Sequence, residues 1–340
     1  MNSALSIVRQ QIPQRWLVVW VMALFFAAGA VGVAEWHWRS LDYHPHIRDS
    51  AQLWSIQRDR ADGANRVPLA LLGASHIQYA IDMKLLKKLL PEYQPVMLAY
   101  NGHYPLATLR DLARDQAFDG VVLCDIDARG LSRYYDDAQQ PFVDYYHHQW
   151  SPSWHFHRLM LTAWQRIAIV GSERFSIVSR LLRWIGNGPP PWRSPVRFHA
   201  DRSGGIDFSR VDKAALTRGF IDGLQQDLRK HPAIPADRWL ADLQRVREWC
   251  DAIRQRGGKV VFFRTPTSGT LQADENAAFP RPRYWDKLAQ ATGAPTFYAT
   301  DAAYFETLNL HDGSHVDYHD RPAYTRALVA ALTERGLLQR

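Results

Sequence analysis

Three side chains suited to nucleophilic catalysis stand in two motifs far apart in this chain. Ser75 lies in Gly73-Ala74-Ser75-His76, and Asp312 precedes His315 by three residues in Asp312-Gly313-Ser314-His315. A serine hydroxyl is a poor nucleophile until an imidazole takes its proton, and that imidazole needs a carboxylate to fix its tautomer. Together the two motifs read as a split Ser…Asp…His triad for acyl chemistry. The competing reading is local, with Asp-Gly-Ser as a turn and Ser75 as a small residue at a helix entry. What favours the triad is the placement of Ser75 just past a predicted strand and of Asp312 and His315 just before the predicted last helix, on the same edge of the sheet.

Val67 to Leu72 reads as a buried strand, and a serine just past its carboxyl end sits where open α/β sheets carry their active sites. Asp82 caps a helix with Leu85, Leu86, Leu89 and Leu90 on one stripe; Pro95 to Tyr100 reads as a second strand. Pro105 opens a helix carrying Leu106, Leu109 and Leu112, and Gly120 to Ile126 reads as a third strand. The alternation resumes with one helix from about 236 to 256, a strand at Lys259 to Phe263, a shorter one at Pro295 to Tyr298, and a closing helix from Asp320 through Leu332. Strand and helix in alternation imply a parallel sheet covered on both faces. The predicted fold is therefore α/β: a flavodoxin-like three-layer sandwich with a central parallel sheet of about five strands, preceded by one N-terminal transmembrane helix.

That helix is read from the uncharged apolar run Trp16 to Ala34, about 28 Å long at the helical rise and close to the thickness of a bilayer core. Arg9 and Arg15 precede it and no acidic residue occurs before Glu35, so the positive-inside rule puts residues 1–15 in the cytoplasm and the remainder outside. The expected organisation is a cytoplasmic tail at 1–15, an uncleaved signal-anchor at 16–34, a polar stalk or surface helix at 35–65, and a globular domain at 66–340 interrupted by an insert at 129–235. A cleaved signal peptide is the alternative, against which stands the length of the apolar run. The net charge of +7 comes without a dense Lys/Arg block, so nucleic acid is not an expected partner. Cys124 in a strand and Cys250 on an apolar helix face are expected to be buried free thiols.

The insert holds His147, His148, Trp150, Trp154, His155 and His157, an amphipathic stretch from Leu159 to Ile185, and a Pro/Gly-rich segment from Gly186 to Pro195. Three roles fit it: a cap over the site, a membrane-surface helix, or a docking face for a partner. His311, His315 and His319 recur every four residues, a zinc-binding spacing on a continuous helix, but Asp312-Gly313-Ser314 is a poor helix interior. No metal and no cofactor is expected.

Gly73-Ala74-Ser75-His76 with Ile81-Asp82, then Asn101-Gly102, then Asp312-Gly313-Ser314-His315, resembles the SGNH (GDSL-like) hydrolase superfamily. More specifically, the pattern is similar to its membrane-anchored bacterial branch, with the proteins of alginate O-acetylation and of D-alanine transfer to teichoic acid. The resemblance covers roughly residues 66–128 and 255–335. It implies Ser75 as nucleophile, His315 as general base and Asp312 as its orienter, in a periplasmic domain held at the inner membrane beside a membrane-bound O-acyltransferase. The implied activity is acyl transfer or ester hydrolysis, above all O-acetylation, on an envelope or secreted polysaccharide. The alternative is a noncatalytic scaffold of a polysaccharide modification or export complex.

The third strand departs from that pattern. It ends Cys124-Asp125-Ile126-Asp127, where the family places an asparagine of the oxyanion hole. Loss of one such donor typically costs on the order of 100 to 1000-fold in rate. Asn101 and the Gly102 backbone N–H are the substitute donors within reach in sequence. His76 is either a second hydrogen-bonding group in the pocket or a helix cap. Arg264 either binds an anionic substrate group or forms an ion pair with Asp125 or Asp127.

Overall fold

The computed structural model describes residues 14–62, 66–186, 188, 189, 191 and 194–339. Arg9, most of the 1–15 tail and Pro190 lie outside the described residues. Among the described residues seven strands form, in chain order: β1 (Val67–Leu72), β2 (Tyr93–Met97), β3 (Val121–Asp125), β4 (Val196–Phe198), β5 (Gly204–Ile206), β6 (Lys259–Arg264) and β7 (Thr296–Tyr298). Five of them make one parallel sheet in the order β2-β1-β3-β6-β7. The chain thus runs outward from β1 to β2 and then crosses back to β3, so the order reverses between β1 and β3. A crevice opens outside the carboxyl ends of the strands at such a reversal.

Strand periodicity divides the core into two layers. Ala70, Leu72, Val122, Cys124, Val260 and Phe262 pack on one face, with apolar residues of helices Leu106–Arg114, Gln244–Gln255 and Trp285–Thr292. Leu69, Leu71, Leu123, Val261 and Phe263 face the other side, against helices Ser75–Ala80, Met83–Leu89 and Arg321–Glu334. Each such fully buried Val, Leu, Ile or Phe contributes about 1.5–3 kcal/mol relative to exposure. Cys124 and Cys250 are both buried and free.

Two elements differ from their sequence reading. The second strand starts at Tyr93 rather than Pro95, because Pro95 pairs as an edge residue of β2 against Leu69 and needs no N–H there. The helix expected over 236–256 is two helices, Ala236–Asp242 and Gln244–Gln255, parted at Leu243, whose buried side chain stays in the core across the break.

The described chain forms two bodies, residues 47–160 with 194–340, and residues 1–46 with 161–193. The sheet belongs to the first. So does helix Ala51–Asp59, within the segment read as a stalk. It buries Trp54 in the core, with the indole N–H donating to the Leu98 carbonyl at 3.0 Å. Arg58 is buried beside it, donating to Asp111 at 2.8 Å and Asp115 at 2.5 Å and paired also with Asp62. The second body contains helix Gln14–Ser40, the one helix among the described residues long and apolar enough to cross a bilayer. The insert contributes to both bodies.

Candidate active site

Ser75 stands at the turn from β1 into helix Ser75–Ala80. The turn is made by Gly73, at φ +148°, where a Cβ would lie 2.7 Å from the Ile77 side chain and 2.9 Å from the Asp125 carbonyl oxygen. Only glycine lets the chain leave the sheet this close to the end of β3. The Gly73 carbonyl is tied down by the backbone N–H of Tyr100 at 3.1 Å and the Gln139 side-chain amide at 3.0 Å.

Asp312 and His315 lie in a loop rather than a helix. Asp312 Oδ1 accepts the backbone N–H groups of Ser314 (2.9 Å) and His315 (2.7 Å), while Oδ2 lies 2.9 Å from His315 Nδ1. Gly313, at φ +81°, turns the loop, and its carbonyl accepts the Ser268 N–H at 2.9 Å. The small antiparallel ribbon of β4 and β5 braces the same loop, with Tyr318 N–H donating to the Ile206 carbonyl at 2.8 Å. His315 Nε2 then lies 2.7 Å from Ser75 Oγ. With Nδ1–H donated to the carboxylate, Nε2 is the free acceptor for the serine proton.

The electrostatics suit that assignment. Burial pushes the Asp312 carboxyl up, but the hydrogen bond and charge of the His315 ring and the two backbone N–H groups outweigh it and hold the group below its ordinary value. Asp312 is therefore an ionised acceptor facing His315 Nδ1. Phe220 covers the His315 ring with centroids 5.0 Å apart, and Tyr79 lies at 5.9 Å.

His76 does not cap the helix through its side chain. Its Nε2 lies 2.6 Å from Ser314 Oγ, and its Nδ1 3.9 Å from Asp125 Oδ2. Asp125, at the end of β3, accepts from Thr265 through its backbone N–H (3.1 Å) and hydroxyl (2.5 Å). Asp127 accepts from Tyr104 at 2.9 Å and from the Gly130 N–H at 2.5 Å. Arg264, at the end of β6, pairs at 2.5 Å with Glu275 of the following helix, Gly269–Ala278, rather than making either predicted aspartate contact.

A cavity of about 260 Å³ opens over these groups. Ser75, His76, Gly102, Arg264 and His315 all line it, and Asn101 is not among its lining residues. Asn101 is exposed, and its backbone carbonyl is bonded by His103 Nδ1 at 2.8 Å. Gly102 turns at φ +74° at the rim. His311 and His319 diverge from His315: the first lies against Phe208, and the second donates its backbone N–H to Asp317.

Sequence reasoning did not foresee Ser314, Thr265 or the wall formed by helix Lys213–Lys230, which presents Gly219, Phe220, Gly223 and Leu224. The spacing of Phe220 and Leu224 on that helix was the available signal. This part of the insert lines the site.

No family model matches the sequence, and no curated protein matches it. Among solved structures, the chain is similar to the crystal structure of TesA, with 13% identity, a TM-score of 0.37, and coverage of 80% of this chain and 99% of that one. An overlap this loose carries nothing about the site, whose chemistry rests on its own geometry.

Proposed function

We propose that this protein is a serine-dependent acyl-transfer enzyme of SGNH type, anchored in the bacterial inner membrane by its N-terminal helix with the catalytic domain in the periplasm. Its proposed reaction is O-acyl transfer, above all O-acetylation, to an envelope or secreted polysaccharide, or hydrolysis of such esters. The observation that supports serine-dependent acyl chemistry is the unbroken hydrogen-bond chain from Ser75 Oγ through the His315 ring to Asp312.

In the proposed cycle, His315 Nε2 takes the Ser75 hydroxyl proton as Oγ attacks the donor's acyl carbonyl. The bond to the donor's leaving group then breaks, and that group departs with the proton from Nε2. His315 next deprotonates an acceptor hydroxyl, which attacks the acyl-serine and releases Ser75, its proton returned from the imidazolium. A sugar hydroxyl as acceptor gives transfer, and water gives hydrolysis, so the shielding of the cavity decides between them. Backbone N–H groups of Ser75 and Gly102 are the proposed oxyanion donors. A membrane-bound O-acyltransferase is the proposed source of acyl groups, consistent with a domain tethered beside the bilayer.

A second reading, a noncatalytic scaffold of the same kind of complex, is favoured by one observation. The end of β3 offers the carboxylates Asp125 and Asp127, both engaged by neighbours, and no side-chain amide donor. Turnover of p-nitrophenyl acetate by the full-length protein in detergent separates the two. The enzyme reading expects turnover that falls about 10⁴-fold in Ser75→Ala and His315→Ala. It also expects ester on an added oligosaccharide acceptor. Absent turnover, with polymer acylation in cells unchanged by Ser75→Ala, would leave the scaffold.

A further inference from the structure

Helix Gln14–Ser40 exposes large apolar side chains from Trp16 to Trp36, but near its end Ala34 and Trp38 are buried. The chain that buries this end is also bonded to it. The Glu35 carboxylate accepts the backbone N–H of Ile169 at 2.9 Å and of Val170 at 3.3 Å. Arg39 donates to the Ile167 carbonyl at 2.8 Å, and the Trp38 indole N–H to the Phe175 carbonyl at 3.3 Å. Trp38, Tyr43 and Phe175 pack edge to face. Residues 167–175 are thereby fixed to the last turns of the helix, at the level where its apolar run ends.

Helix Ile177–Ile185 follows directly, capped by Ser176, whose hydroxyl accepts the Ser179 N–H at 3.2 Å. Val178, Leu181, Leu182 and Ile185 recur at three-one-three spacing and form one stripe, each more than half exposed, and Trp184 beside them is 77% exposed. Arg183 turns the other way. It donates to the Arg174 carbonyl and lies 5.9 Å from the Trp38 ring. In water this stripe is unfavourable, since large apolar side chains gain by leaving it. At nine residues the helix is about 14 Å long, too short to span a bilayer.

We infer that helix Ile177–Ile185 is an interfacial helix, lying in the plane of the same bilayer that helix Gln14–Ser40 crosses, with its apolar stripe in the lipid on the side where that helix exits. The occupant of the stripe is lipid because the exit of the span and the start of this helix are held together by the bonds of Glu35, Trp38 and Arg39. The headgroup layer is about 5–8 Å deep on each side, so a helix fixed at the exit meets it. Trp and Arg at that level match the belt in which amphipathic side chains settle. Held this way, the span has a second, lateral contact that resists its tilting. The inference rests on the proposed membrane span.

The test reads the two separately, by nitroxide depth in the full-length protein reconstituted in vesicles of phosphatidylethanolamine and phosphatidylglycerol. Leu182→Cys reports the interfacial helix and Phe25→Cys the span; the native cysteines are buried. The expected result is a label at Leu182 that collides with oxygen more than with a nickel chelate, about 5–10 Å below the headgroups, and a deeper label at Phe25. A nickel-accessible Leu182 label with a deep Phe25 label overturns the inference and leaves the span. Nickel access at both overturns the span and the inference with it. A Leu182 label shielded from both reagents means that a second copy or another protein covers the stripe, which also overturns it.

Discussion

His76 Nε2 lies 2.6 Å from Ser314 Oγ, so the two Ser-His dipeptides of this chain are clasped crosswise: Ser75 to His315, and His76 to Ser314. Each dipeptide holds the other's partner. The backbone that carries the proposed nucleophile and the backbone that carries the proposed base are thus fixed by two hydrogen bonds rather than one. His76 and Ser314 act as positioning residues in this arrangement.

Ser314→Ala removes the second clasp while leaving Ser75, His315 and Asp312 in place. Losing one hydrogen bond to a partly buried imidazole costs roughly 0.5–1.5 kcal/mol. The expected effect in steady-state hydrolysis of p-nitrophenyl acetate is a fall of about tenfold in kcat with KM little changed, corresponding to about 1.4 kcal/mol. Ser314→Thr, which keeps the hydroxyl, should recover most of it. A purely structural role would lower the amount of folded protein and leave kcat per folded molecule unchanged.

The pair Asp125 and His76 makes a pH prediction whose signs oppose. Burial pushes the Asp125 carboxyl up to about 6 against the pull of Thr265 and Arg264, while burial, His315 and Arg264 push His76 down to about 3. Asp125 therefore contributes stability below its ordinary value of 3.8, lost as pH rises through about 6. His76 contributes stability above its ordinary 6.5, lost as pH falls toward 3. In the wild type the two slopes largely offset between pH 4 and 6. Asp125→Asn keeps an acceptor for Thr265 and removes only the first. Urea unfolding should then show the variant losing about 3 kcal/mol relative to wild type as pH falls from about 7 to 4. Parallel pH profiles would refute the assignment.

Gly219 and Gly223 sit one turn apart on helix Lys213–Lys230, both line the cavity, and a Cβ at either meets nothing within 4 Å. They hold space open. Replacing either with leucine fills that space and gains helix propensity of about 0.8 kcal/mol, so stability should not fall. Competition between p-nitrophenyl acetate and the butyrate ester should show kcat/KM for the larger ester falling about tenfold relative to the smaller, a difference of about 1.4 kcal/mol. Equal effects on both would place the glycines outside the substrate's path.

The sheet was legible because each strand is a short apolar run bounded by turn residues, and because helices such as Leu106–Arg114 show their stripe in spacing alone. Ser75, Asp312 and His315 were legible for the same reason: each motif abuts an element whose end could be read. The burial of helix Ala51–Asp59 was not. Its buried Arg58 is paired with Asp111 and Asp115, more than fifty residues away, and a polar composition looks like a stalk until such partners are known. Arg264 found Glu275 rather than Asp125 because the strand's exit aims it at the next helix, and Asp125 already accepts from Thr265. The spacing of Phe220 and Leu224 marks a helix face, but that this face covers His315 is a long-range contact that the spacing does not encode.

If His315 activates Ser75, the full-length protein in membranes should react with a fluorophosphonate probe at that serine. The expected result is one phosphonyl adduct, mapped by peptide mass to Ser75, absent in Ser75→Ala and slowed at least about 100-fold in His315→Ala. An unlabelled wild type, or an adduct that survives Ser75→Ala, would contradict it.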